Sequence, residues 1–92
     1  KDMIQEELYI AASSWSSASG SYYRNIQLSN DFDPSYIPTF YIHPDDRNDA
    51  AKCASFRLIT SCNLGNDGNF VLLSASAQPT ENLMCVLEGK AK

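Results

Sequence analysis

The sequence predicts a disulfide-stapled α+β domain, in which one N-terminal amphipathic helix packs on a small antiparallel β-sheet. Three observations lead there. Ile4, Leu8, Ala11, Trp15 and Ala18 recur at steps of four, three, four and three, the spacing of one helical stripe. Later apolar runs, Phe70–Ala77 and Leu83–Glu88, are bounded by turn residues and read as strands. Three cysteines, Cys53, Cys62 and Cys85, occur in a chain of 92 residues. A chain of that size buries only roughly 60–65% of its unfolded surface, so a covalent link would help it.

Residues 1–92 form one domain: a helix to residue 20, a connection over 21–53, a sheet over 54–88 and a polar tail over 89–92. In the helix, residues 2–18, Asp2 can cap, Glu6 and Glu7 suit the early turns, and Gly20 suits the left-handed position past the end. Serines at 13, 14, 16, 17 and 19 compete for backbone hydrogen bonds, so the second half needs tertiary support. In the connection, Asp33–Pro34, Ile37–Pro38 and His43–Pro44 interrupt regular structure. Between them, residues 36–42 are β-branched and aromatic and suit an edge strand that tolerates Pro38.

Residues 44–52 place proline and acids first and a lysine last, a short-helix signature. Beyond it two periods compete. Ala51, Ala54, Leu58 and Cys62 fit a helix; Phe56, Leu58, Thr60 and Cys62 fit a strand, and the strand formers around Leu58 favour a strand over 54–62. Asp67–Gly68 is a hairpin signal. The strand over 69–77 is nearly all apolar and hence central, and Leu83–Glu88 follows after a turn.

A straight strand over 54–62 spans about 30 Å, which excludes a Cys53–Cys62 bridge. Cys85 then belongs to any internal disulfide. A Cys62–Cys85 pair, preferred here to Cys53–Cys85, requires their strands to be adjacent or Cys62 to lie past a strand end.

Eleven acidic residues face seven basic ones, a net charge of −4, with no basic stripe, which disfavours nucleic acid as the main partner. No apolar run approaches the ~20 residues of a membrane span. The chain opens on Lys1 without a start methionine and reads as a mature or trimmed fragment. Any membrane contact would come through a segment not in this sequence. The expected location is exported and oxidising.

The organisation resembles the extracytoplasmic headpiece of type IV pilins and pseudopilins. Three features carry the resemblance: the small-residue, Gly-x-Tyr end Ala18-Ser19-Gly20-Ser21-Tyr22, the stretch from Gly68 to Ala77 that is similar to the family's central strand, and Cys85 opening a last strand before Gly89–Lys90. The resemblance implies a soluble headpiece without the apolar half-helix. It also implies a structural, non-enzymatic subunit, minor rather than major, of an extracellular or periplasmic filament, fimbrium or secretion pseudopilus. Its partners would be other pilin-like subunits or a surface ligand, and its αβ-loop, residues 21–53, would carry contacts and adhesion.

The alternative is a small secreted recognition or inhibitor domain acting through the aromatic loop. Tyr22, Tyr23, Arg24, Tyr36, Phe40 and Tyr41 are the candidate interface in either reading. The segment His43-Pro44-Asp45-Asp46-Arg47-Asn48-Asp49 has metal-like spacing, and oxygen ligands at alternate positions would suit calcium, but no glycine bends the segment and no glutamate closes it, so it reads as a solvated helix turn. Asp31 and Asp33 read as turn residues. His43 is the only histidine. A nucleophile pair with Cys53 or Cys62 lacks an orienting third residue, and no catalytic, cofactor or metal motif occurs. Trp15 is expected as a core anchor and the spare thiol as a buried apolar group.

Overall fold

The structure, a computed structural model, describes residues 2–92; Lys1 lies outside them. The chain folds as two antiparallel sheets packed face to face, with one short helix at their edge. In chain order the strands are β1 (Met3–Ile10), β2 (Ser16–Ala18), β3 (Ser21–Gln27), β4 (Thr39–Ile42), β5 (Ile59–Leu64), β6 (Phe70–Ala75) and β7 (Leu83–Lys90). A 3-10 turn over Ala12–Ser14 precedes β2, and helix α1 (Ala50–Phe56) precedes β5. One sheet has the order β1-β7-β4, the other β2-β3-β6-β5.

The N-terminal helix expected over residues 2–18 is strand, turn and strand, so the α+β architecture is corrected to a mainly β sandwich. The physical reason lies in Ile10. It falls off the helical stripe yet is fully buried, whereas alternation places Ile4, Glu6, Leu8 and Ile10 inward and Met3, Gln5, Glu7 and Tyr9 outward. Ile4 and Leu8 satisfy both periods, so the stripe could not discriminate. The serine run disfavours a helix throughout, and Ser19 and Gly20, at φ 52° and 82°, form the two-residue turn of the β2–β3 hairpin rather than a helix end.

The ambiguous stretch after Pro44 resolves in two parts. Asp49 caps α1, its carboxylate accepting from the Lys52 N–H at 3.1 Å, and Ala50, Ala51, Lys52 and Ala54 then favour helix. The strand begins only at Ile59. The expected single sheet is also corrected. β7 leaves β6 through residues 76–82 and joins the opposite sheet between β1 and β4.

That crossing removes the disulfide. Cys62 and Cys85 face the same core from opposite sheets, whose backbones pack about 10 Å apart, and Cys53 sits on α1; all three thiols are free. The hydrophobic interior stands in their place. One cluster gathers Ile10, Trp15, Leu73, Ala75, Leu83 and Cys85, the other Leu8, Leu28, Phe32, Val71 and Leu87.

Phe32 closes the second cluster. It is fully buried, its N–H donates to Gly68 O at 2.8 Å, and it bridges Ala91 beyond β7. Glycine is required on both sides of it. A Cβ at Gly68 would lie 1.8 Å from Phe32 O, and one at Gly89 2.9 Å from the Phe32 ring. Gly68 also has φ 75° in the β5–β6 hairpin. We expect Gly68→Ala to lower the urea-unfolding free energy by at least ~1–3 kcal/mol, the cost of a strained backbone position, before the backbone clash is added. An unchanged midpoint would show that Phe32 is not held against this turn.

Candidate functional site

Strand alternation and register place the site. Tyr9 lies opposite Met84, Glu7 opposite Val86 and Gln5 opposite Glu88, all on the outer face of the first sheet. Beyond β4 the chain continues in register, His43 N–H donating to Met84 O at 2.8 Å. The turn over 44–48 then brings Asp45 and Asp46 alongside. With Lys52 and Asn82 these residues line a cleft of about 360 Å³: Glu7, Tyr9, His43, Asp45, Asp46, Lys52, Asn82 and Met84.

The polar groups inside are ordered by one another. His43 Nε2 lies 2.9 Å from a Glu7 carboxylate oxygen, and the Asp45 N–H donates to His43 Nδ1 at 3.0 Å. An accepting Nδ1 places the proton of the neutral ring on Nε2, which donates to Glu7. Asp46 accepts from the Met84 N–H at 3.2 Å and pairs with Lys52 Nζ at 3.5 Å, tying α1 to β7. Ser55 Oγ adds a second tie, accepting from Thr80 N–H and Glu81 N–H. Against this frame Glu7 and Tyr9 stay open to solvent, Tyr9 at 57%. Three carboxylates stand beside one lysine and one imidazole, so the cleft is net acidic.

The six residues expected as one interface are dispersed. Tyr22 faces the core. Arg24 shares its strand face, opposite Leu73, and donates from Nη1 to Asn25 O. Phe40 stacks on Phe56 with centroids 5.6 Å apart. Tyr23 is exposed on the outer face of the second sheet, and Tyr36 is exposed in the connection between β3 and β4. Tyr41 alone shares the cleft's face, where its hydroxyl accepts from Gln5 Nε2 at 3.4 Å. Of the His43–Asp49 segment, His43, Asp45 and Asp46 enter the cleft, and among the described residues no group of three or more His, Cys, Asp or Glu side chains could hold a metal ion. Sequence reasoning missed Glu7, Tyr9, Asn82 and Met84. A period of two through Gln5, Glu7 and Tyr9 was the available signal.

Cys62 and Cys85 offer no nucleophile to the site. Burial pushes the Cys62 thiol up to about 11. Cys85 rises to about 12, through burial first and the nearby Asp46 and Cys62 next. Both are held protonated near neutral pH.

No family model, curated protein or solved structure matches the chain. The resemblance to pilin headpieces thus gains no support from relatives. The helix and disulfide expected from the sequence are replaced by β1, a 3-10 turn, β2 and free thiols, so the pilin, fimbrium and disulfide descriptions are withdrawn.

Two outcomes follow for the thiols. Native protein at neutral pH should leave Cys62 and Cys85 unlabelled by iodoacetamide, with both labelled after denaturation; fast native labelling of either would contradict their burial. Because both folded values lie above the ordinary 9.0, the unfolded chain ionises first as pH rises. Their contribution is complete below about pH 9 and declines through the window up to 11–12, by up to ~1.4 kcal/mol per pH unit for each thiol. Urea midpoints should therefore fall above pH 9, and less steeply in Cys85→Ala.

Proposed function

We propose that this chain is a non-enzymatic recognition module that takes a cationic group of its partner into the cleft between Glu7, Tyr9 and Asp45. The observation that carries the reading is the half-exposed Tyr9 ring lining one cleft with three carboxylates, Glu7, Asp45 and Asp46, that outnumber its basic groups, Lys52 and His43. A cation over a tyrosine face gains ~0.5–1 kcal/mol at an exposed site, and a nearby carboxylate adds ~0.2–1 kcal/mol. The rigid side of the cleft, His43 and Asp46, is already hydrogen-bonded, so binding would cost little side-chain ordering there. The location also suits a module. β1 and β7 run antiparallel with Met3 opposite Lys90, so both ends of the described chain leave at one pole, while the cleft gathers the opposite ends of those strands. A binding role agrees with Cys62 and Cys85 being held protonated and with the His43 ring being engaged by Glu7 and the Asp45 N–H.

Titration with blocked arginine and blocked lysine, followed by NMR at Tyr9, His43 and Met84, tests this. These resonances should move for the cations and stay for blocked glutamine. Combining Glu7→Gln with Tyr9→Ser should weaken binding about tenfold, the sum of the two contributions. Equal response to blocked glutamine, or indifference to the double substitution, would refute the cationic assignment.

A further inference from the structure

Sheets expose backbone at their edges, and three of the four edges here are blunted. β2 has three residues. β4 has four, set between Pro38 and His43–Pro44. β5 has a register shift between Ile59 and Ser61. Short strands, prolines and bulges are the usual devices that keep an edge from pairing. β1 has none of these three, and its inward-pointing charge, Glu6, is taken up by the Ser29 and Asn30 N–H groups. It runs eight residues in unbroken register with β7, without proline or bulge, and pairs with nothing on its other side.

The hydrogen-bond phase identifies which groups are left over. Ala91 N–H donates to Asp2 O at 2.7 Å, so even-numbered residues of β1 bond to β7. Met84 O and Lys90 O, opposite Tyr9 and Met3, accept from the other side instead, from His43 N–H and Asp33 N–H. Met3, Gln5, Glu7 and Tyr9 therefore direct their N–H and C=O groups off the sheet edge. Their side chains lie on the outer face, the face of the cleft. The unpaired edge and the acidic cleft are thus one continuous surface.

We propose that β1 accepts an extended segment of a partner protein as an added strand, with basic residues at alternate positions facing Glu7 and Tyr9. This rests on the cationic reading of the cleft and specifies its partner. Charge selects the occupant. Asp2, Glu6, Glu7 and Glu88 line the edge and its neighbour strand, and among the described residues the full positive charges near them are Lys90 on β7 and Lys52 at the cleft. A second copy of β1 would bring the same carboxylates against these and add another chain of charge −4. Like charges directly across a strand pair are destabilising, and opposite ones stabilising. Glu6 points inward and is already occupied, accepting from Ser29 N–H at 2.7 Å and Asn30 N–H at 3.0 Å, so Glu7, which meets His43 through one oxygen and is otherwise open to solvent, is the carboxylate left to read the added strand.

The probe is a blocked hexapeptide alternating lysine and threonine, added to the intact chain while amide exchange is followed. Exchange should slow at Gln5, Glu7 and Tyr9 and stay unchanged at Glu6 and Leu8. A copy of the peptide N-methylated on the amides that would face β1 should bind at least tenfold more weakly. Gln5→Pro, which removes an outward N–H and spares the β7 ladder, should do the same from the protein's side. Equal binding of the methylated peptide overturns strand addition. Shifts at Tyr9 and His43 without protection of the odd-numbered amides also overturn it, and leave the cleft as a side-chain site. Protection of those amides in concentrated protein without peptide would reassign the edge to a second copy.

Discussion

Phe32 is the contact on which the two-sheet arrangement depends. The sheets share no strand, and no disulfide joins them. At the pole holding both chain ends, Phe32 supplies a backbone bond to the β5–β6 hairpin of one sheet and a bridge to the residue after β7 of the other. Its ring fills the space that Gly89 leaves, and its carbonyl occupies the space that Gly68 leaves. Burying a phenylalanine side chain contributes roughly 1.5–3 kcal/mol by area alone, a large share of the stability open to so small a domain. The role expected of a disulfide is thus filled by one aromatic residue held between two glycines.

Charge is divided between the sheets, and that division directs function to one of them. The strands of the β2-β3-β6-β5 sheet carry a single charged residue, Arg24, on the inward-facing side of β3 opposite Leu73. The β1-β7-β4 sheet carries Glu7 on its outer face, with His43, Asp45, Asp46 and Lys52 gathered at its end. The segment from Pro44 to Lys52 is pinned there by Asp46, which serves both Met84 and Lys52. The acidic cleft and the unpaired edge of β1 follow from the same register, because the residues whose backbones are unpaired are those whose side chains face outward.

The C-terminal half was more legible than the N-terminal half, for physical reasons. Asp67–Gly68 specifies a hairpin through φ alone, and the run from Phe70 is apolar enough to be central wherever it packs. The first ten residues are different. Ile4 and Leu8 are spaced four apart, which suits one face of either a helix or a strand, and only the burial of Ile10 separates the two. Pairing between residues as far apart as Met3 and Lys90, as between β1 and β7, leaves no local trace, and neither does the crossing that separates Cys62 from Cys85. The site suffered most. His43, Asp45 and Asp46 drew notice as a cluster, but Glu7 and Tyr9 reach them only once residues 3–10 are extended.

The most direct test of this account compares amide exchange in the native protein with that in Phe32→Ala. If Phe32 couples the sheets, protection should fall together at Cys85 and Leu87 in one sheet and at Val71 and Leu73 in the other, by about 3–5 kcal/mol, the usual cost of truncating a buried phenylalanine. Loss confined to residues 28–38, with both sheets unchanged, would contradict it and show that each sheet stands without the contact.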